Sequence, residues 1–435
     1  MNITKILDFL TGKKVQDYYN EYIKTQWFSS EAMRDYQLDK FKKLVSHCYT
    51  NVPYYTELMN SIGFTPEDIH SLEDIKRFPI LTKEIIKENY SKFYPLNIKN
   101  IKGVKTSQTG GTTGNILFKR NDANTRSSSW AAYRRFNDWM GFKEGDKALI
   151  LMGGHVIGTS FKDQLKTKFY NLLTNSIAFN PYDTKNENVE SIIKSLRSNK
   201  FKLIRSYSQF LYFLATKVKQ MGEVFPVGAI TTTAEPLMQE HRNIFKEVFL
   251  ADTFDQYGCG EIGGIAFECD HHQGLHVTEE RVYIEVNDNS EIIVTDLDNY
   301  AMPFIRYWNA DQVELADSPC SCGRKSLLIK RVMGRTCDYI IGKNGEFLHW
   351  AYFWHLFFDS GIAKNNNLQK FQVVQESPDK IEINLICEKI SDELILVLKQ
   401  NIQSRIGPVD IVFNYSTNIE NTKTGKYRPV INKLI

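Results

Sequence analysis

From Tyr36 to Val52 apolar positions recur at helical spacing, and Asn51-Val52-Pro53 supplies the stop, because proline cannot extend a helix. Thr65-Pro66-Glu67-Asp68 predicts a further helix start, with proline in the first turn. From about Gly103 the pattern changes to an α/β one. The apolar run Ala148–Met152, ended by Gly153-Gly154, predicts a buried strand. Val189–Leu196 predicts a helix, Leu203-Ile204 the start of a strand, and Ser206–Val218 the helix that follows it. Period-two alternation then marks strands at Val282–Val286 and Glu291–Val294. Near the end, Phe371–Val374 and Lys380–Cys387 alternate likewise, and Asp392–Arg405 predicts a helix. The last hundred or so residues thus form an α+β unit of their own, with a boundary near Gly334. We expect domains at 1–333 and 334–435.

Length supports that division, since 435 residues exceed the size at which one hydrophobic core stops growing. The net charge of +3 gives no reason to expect a nucleic-acid partner. Lys13-Lys14 and Lys42-Lys43 read as solvated helix faces. The N-terminus carries Asp8 and no long apolar core, so no signal peptide is expected, nor does any run mark a membrane span. A cytoplasmic location follows as the expectation. Seven cysteines, an odd number scattered along the chain, do not form a disulfide framework.

Two groups of residues suggest chemistry. Thr106-Ser-Gln-Thr-Gly-Gly-Thr-Thr-Gly114 crowds glycines and hydroxyls together. Glycines let backbone N–H groups approach a phosphate, and the hydroxyls complete an anion cradle. The Walker ending Gly-Lys-Ser/Thr is absent, and a Ser/Thr/Gly surface loop is the alternative reading. Cys269, His276, Cys320 and Cys322 offer a Cys₃His set suited to a structural, tetrahedral zinc ion. His271 and His272 compete for the fourth place, and unliganded thiols are the alternative.

The loop resembles the phosphate loop of adenylate-forming enzymes, in particular the phenylacetate–CoA ligase family and its CapK-like capsule-biosynthesis branch. Five further motifs follow in that family's order. Thr232-Thr-Ala-Glu-Pro236 resembles the Gly-Ala-Glu-Pro turn against the adenine, and Tyr257-Gly-Cys-Gly-Glu261 the Tyr-Gly-x-Thr-Glu motif. Pro303–Asp311 and Gly334-Arg-Thr-Cys-Asp338 resemble the ribose-binding motif and the hinge signature. Asn421-Thr-Lys-Thr-Gly-Lys426 is similar to the terminal lysine loop.

The resemblance implies a large N-terminal adenylate-forming domain with a small mobile lid. It assigns ATP or AMP to Thr109, Gly110, Gly111, Thr112, Thr113, Gly114, Ala234, Glu235, Pro236, Tyr257, Gly258, Asp311 and Arg335. Glu261 would hold magnesium, and Lys426 would bridge the substrate carboxylate and the α-phosphate. Lys423 is the alternative to Lys426, and Asp311 also suits a turn cap. Three positions depart from the family: Asn115 for lysine, Gly260 for threonine and Cys337 for aspartate. The zinc set resembles one found in some members of the same family.

The function implied is ATP-dependent activation of a carboxylic acid with pyrophosphate release. Transfer to an amine or sugar in surface-polysaccharide biosynthesis is favoured over thioester formation with CoA. A nucleotide-binding scaffold without catalysis is the third reading. The identity of the acid and a homodimeric assembly stay open.

Overall fold

A computed structural model describes Asp8 and residues 14–108, 117–152, 168–181, 186–235, 237–335, 339–343, 347–420 and 428–434. The chain divides into two compact units. One comprises Met1–Gly111 with Asn115–Met333, the other Thr112–Gly114 with Gly334–Ile435.

The larger unit is built on an 11-stranded sheet. Ahead of it, β1 (Lys105–Gln108) and β2 (Phe118–Asn121) pair antiparallel on either side of the glycine-rich segment. The parallel half contains β3 (Ala148–Leu151), β4 (Ser176–Phe179), β5 (Leu203–Tyr207), β6 (Ala229–Thr233) and β7 (Asp252–Tyr257), in the order β4-β3-β5-β6-β7. These strands read as apolar runs because both faces are covered. On one face, helices Asn186–Ser198, Ser208–Gln220 and Gln239–Phe249 pack Ile192, Leu211 and Phe245 against Leu149, Ile204 and Ile230. On the other, helix Ala123–Trp139 lays Ala131, Ala132 and Phe136 over Ala148, Leu203, Ala229 and Phe254. A fully buried phenylalanine such as Phe136 contributes about 1.5–3 kcal/mol. That helix starts at Asp122, whose carboxylate accepts from Thr125 N at 2.8 Å and, with its other oxygen, from Tyr300 N at 3.1 Å.

Past β7 the sheet turns antiparallel. It continues through β8 (Ala266–Glu268) and β9 (Leu275–Val277) to β13 (Leu328–Arg335). Then come β12 (Tyr307–Leu315), β11 (Glu291–Asp296) and β10 (Val282–Val286). Helix Ser30–Asn51, capped by Ser29 and ended at Val52-Pro53, buries Phe41, Leu44, Val45 and Cys48 against this half. The predicted helix at Thr65 is a single 3₁₀ turn, Pro66–Asp68. Asp68 satisfies Thr65 N within that turn (2.8 Å), and Ile69 is already extended.

The smaller unit has a four-stranded mixed sheet, in the order β18 (Asp410–Tyr415), β17 (Lys380–Ile386), β16 (Lys370–Ser377), β19 (Val430–Asn432). β16 and β17 are antiparallel, while β17–β18 and β16–β19 are parallel. Helix Asp392–Ile406 makes the β17-to-β18 crossover. A short antiparallel pair, β14 (Tyr339–Ile341) and β15 (Phe347–His349), is tied to it through buried Gln375. That side chain both donates to Ile341 O and accepts from Ile341 N, each at 2.8 Å. The architecture is the expected α/β domain followed by a small α+β domain. No described helix is long and apolar enough to cross a membrane.

Candidate active site and metal centre

The carboxyl ends of parallel strands are where ligands bind in open α/β sheets. Tyr257 ends β7 and Ala234-Glu235 follow β6 at that edge. Tyr257 donates its hydroxyl to Asp311 Oδ2 at 2.8 Å. Asn309 Nδ2 donates to both, to the tyrosine oxygen at 2.9 Å and to Asp311 Oδ2 at 3.0 Å. Asp311 N returns a bond to Asn309 Oδ1 at 3.0 Å. All three residues are buried. Burial and the adjacent Asp311 carboxylate push the Tyr257 phenol well up, so it stays a donor. The neighbour Ala310 holds a left-handed φ of 61°, inside a register shift between β11 and β12. That bulge is what brings Asn309 and Asp311 onto one tyrosine.

Gly258 begins a turn that folds back on itself, so a Cβ there would lie 2.9 Å from Gly264 N. Cys259 N donates to Ile262 O (2.9 Å), and Ile262 N to Cys259 Sγ (3.3 Å). The turn ends with Glu261 buried between two lysines. Lys83 Nζ stands 3.7 Å from Glu261 Oε1, and Lys119 Nζ donates to Glu261 O at 2.9 Å. Lys83 arrives because Leu81 pairs with Tyr307 as a one-residue bridge on β12. Lys119 is carried by β2, and burial lowers its ammonium pKa against the opposing pull of Cys259, Glu261 and Asp296. Neither lysine stands out in the sequence, since nothing local distinguishes them from surface lysines. A hard carboxylate oxygen fits magnesium, which takes one or two carboxylates together with substrate phosphates.

Ala234 has φ 66°, and the Glu235 carboxylate turns to the N-terminus of helix Ser208–Gln220, accepting from Gln209 N at 3.0 Å. Arg335 ends β13. The expected sites at Thr109, Gly110, Gly111, Thr112, Thr113, Gly114, Pro236, Lys423 and Lys426 lie outside the described residues, as do Asn115 and Cys337.

Cys269 follows β8, His276 lies on β9, and Cys320 and Cys322 occupy the connection from β12 to β13. Gly274 permits the approach: its φ is 141°, and a Cβ there would meet Ile329 O at 2.6 Å. The four ligand atoms lie within 4.8 Å of one another. Cys269 Sγ is 3.7 Å from Cys320 Sγ, and Cys322 Sγ is 3.4 Å from His276 Nε2. Tetrahedral zinc with Zn–S of 2.3 Å and Zn–N of 2.0–2.1 Å spaces its ligands by about 3.8 Å (S···S) and about 3.6 Å (S···N). The donor set therefore fits zinc. His276 Nδ1 contacts Ser326 Oγ at 2.9 Å, leaving Nε2 for the metal. Burial and the nearby Arg324 and Arg135 push the imidazole down to about 4, so it is neutral at pH 7. His271 contacts Ser321 instead (2.7 Å), and His272 contacts Glu268 (3.1 Å).

Similarity to known proteins agrees with this architecture. Residues 340–433 match the CapK C-terminal domain. The chain is 25% identical over 346 residues to a phenylacetate–coenzyme A ligase of Thermus thermophilus, covering 72% of each chain. It is 23% identical over 349 residues to the Escherichia coli K12 enzyme of that name, covering 72% of this chain and 73% of the other. Its fold matches 2-hydroxyisobutyryl-CoA ligase in the postadenylation state, with TM-score 0.72 at 15% identity, over 94% of this chain and 91% of that one. The chain is an AMP-forming, adenylate-forming ligase. Within that class its sequence resembles the phenylacetate–CoA ligases, and its C-terminal residues resemble the CapK-like branch.

Proposed function

We propose that the protein converts a carboxylic acid and ATP into an acyl-adenylate and pyrophosphate. The observation that carries this reading is the Tyr257–Asn309–Asp311 set at the strand edge, with the Glu261 carboxylate on the adjoining turn. Tyr257 covers the adenine, while Asp311, an acceptor with several lone pairs, receives the ribose hydroxyls. Gly258 and the Ala234-Glu235-Pro236 turn line the base. Glu261 would hold a magnesium ion, which would supply positive charge against the leaving pyrophosphate. Thr109–Gly114 cradle the phosphates, and Arg335 contacts the nucleotide. Lys426 bridges the substrate carboxylate and the α-phosphate, offsetting their repulsion as the carboxylate oxygen attacks phosphorus and pyrophosphate departs. Cys269, His276, Cys320 and Cys322 hold a structural zinc ion.

The acyl group then passes to an amine or sugar acceptor in surface-polysaccharide biosynthesis. The match to the CapK C-terminal domain supports this branch. A second reading, transfer to CoA, is supported by relatives named phenylacetate–coenzyme A ligases. The test is pyrophosphate release from ATP across a panel of carboxylic acids, with and without CoA. Acid-dependent release that CoA does not accelerate supports the first acceptor, and acceleration with thioester formation supports the second. No release with any acid, together with no effect of Lys426→Ala, refutes both.

A further inference from the structure

Arg205 lies inside the larger unit on β5, aligned with Ile150 of β3 and Thr231 of β6. Its face of the sheet is the one covered by helix Ala123–Trp139. Several other arginines in the interior have carboxylate partners: Arg135 with Glu280, Arg242 with Glu268, Arg306 with Glu285 and Arg281 with Asp298, while buried Arg120 donates to the Tyr90 hydroxyl and lies against the Tyr94 ring. Arg205 makes no such pair among the described residues. Its one hydrogen bond among the described residues goes from Nη2 to the neutral Asn137 Oδ1, at 3.0 Å. Its Nε is buried and unpartnered, and so is the hydroxyl of fully buried Thr231 on the aligned strand. Tyr133 and Tyr170 are close enough to interact electrostatically with the guanidinium. An enclosed guanidinium without a counter-ion is costly unless an anion arrives to pair with it.

Position connects this group to the adenylation site. Arg205 stands two residues before the carboxyl end of β5, one layer below the edge that carries Ala234 and Tyr257. Tyr133 reaches Gly264, three residues past Glu261; a Cβ on that glycine would lie 3.6 Å from its ring. The guanidinium therefore lies on the same sheet, two to three residues below the strand ends that carry Ala234 and Tyr257.

We propose that Arg205, with the Thr231 hydroxyl beside it, binds a second anionic group on the substrate, so that the acid activated is a small dicarboxylic or similarly doubly anionic acid. This rests on the acyl-adenylate reading above and narrows its substrate class. A planar guanidinium offers paired donors to a carboxylate or phosphonate. An acid lacking that group leaves Arg205 and Thr231 unpaired, and sites built to pair a polar group reject such analogues strongly.

The test is acid-dependent ATP–pyrophosphate exchange with matched acids: succinate against butyrate, glutarate against valerate, and 3-phosphonopropionate against butyrate. The wild type is expected to favour at least one doubly anionic member by about tenfold or more in kcat/KM. In Arg205→Gln that ratio falls toward one, mainly through KM, while Arg205→Lys retains part of it. Equal use of both members by the wild type, or a preference that survives Arg205→Gln, overturns the assignment while leaving adenylation intact. The wild-type comparison decides the matter even if Arg205→Gln fails to fold. Exchange with no acid of either kind counts against the adenylation reading and removes this one with it.

Discussion

Loss of the Cys₃His centre should cost the larger unit measurable stability. Cys320→Ser removes one of two thiols that stand 3.7 Å apart across 51 residues of sequence. For a cross-link of that span, the chain-entropy relation gives about 4 kcal/mol of stabilisation as an upper figure. A unit of more than 300 residues has an unfolding entropy of roughly 0.7 kcal/mol/K, which converts that loss into a fall in Tm of about 6 °C. The assay pairs elemental analysis of the purified protein with thermal unfolding before and after chelation. The wild type should carry about one equivalent of zinc, lose several degrees on chelation and recover them when zinc returns. Cys320→Ser should start at the lower Tm and respond to neither treatment. Less than about half an equivalent in the wild type, with an unchanged Tm in Cys320→Ser, would refute the metal assignment.

Asp311→Asn keeps the shape of the side chain but removes its charge and converts one acceptor oxygen into a donor. ATP affinity measured by calorimetry should fall roughly 10–100-fold, the worth of hydrogen bonds to a charged acceptor; unchanged affinity would sink the ribose role. Asp255 gives a pH signature. Burial first, and then the neighbouring Glu268 carboxylate, raise its pKa from 3.8 to about 7. The folded state therefore binds more protons than the unfolded chain between those values, and stability from this group falls as pH rises through that window. Asp255→Asn should match the wild type in urea unfolding near pH 4 and exceed it by on the order of 1–3 kcal/mol near pH 8. A constant difference at both pH values would contradict the shift.

What could be read from sequence depended on how local the cause was. The strand at Ala148–Leu151 and helix Ser30–Asn51 announce themselves because burial on both faces, or on one helical stripe, writes a period into the residues. Boundaries were less legible. Helix Ser206–Val218 begins instead at Ser208 and runs to Gln220, because Ser206 and Tyr207 are held in the ladder with Thr232 and Thr233. The Thr65 signal predicts a helix, yet its cap is satisfied inside one turn.

Charge placement was the least legible feature, for a physical reason. Lys83 and Lys119 lie 178 and 142 residues from Glu261 in sequence, and both reach it only through strand pairing, at Leu81–Tyr307 and between β1 and β2. No local pattern records that convergence. The metal ligands are more legible because their chemistry is restrictive: few side chains bind zinc, so a Cys and a His near one turn and two Cys in a later loop already limit the geometry. Even so, the choice among His271, His272 and His276 turned on tertiary contacts, since Ser321 engages the first and Glu268 the second. Arg205 shows the same limit. Nothing local marks it, and only the sheet reveals a guanidinium with no carboxylate partner among the described residues.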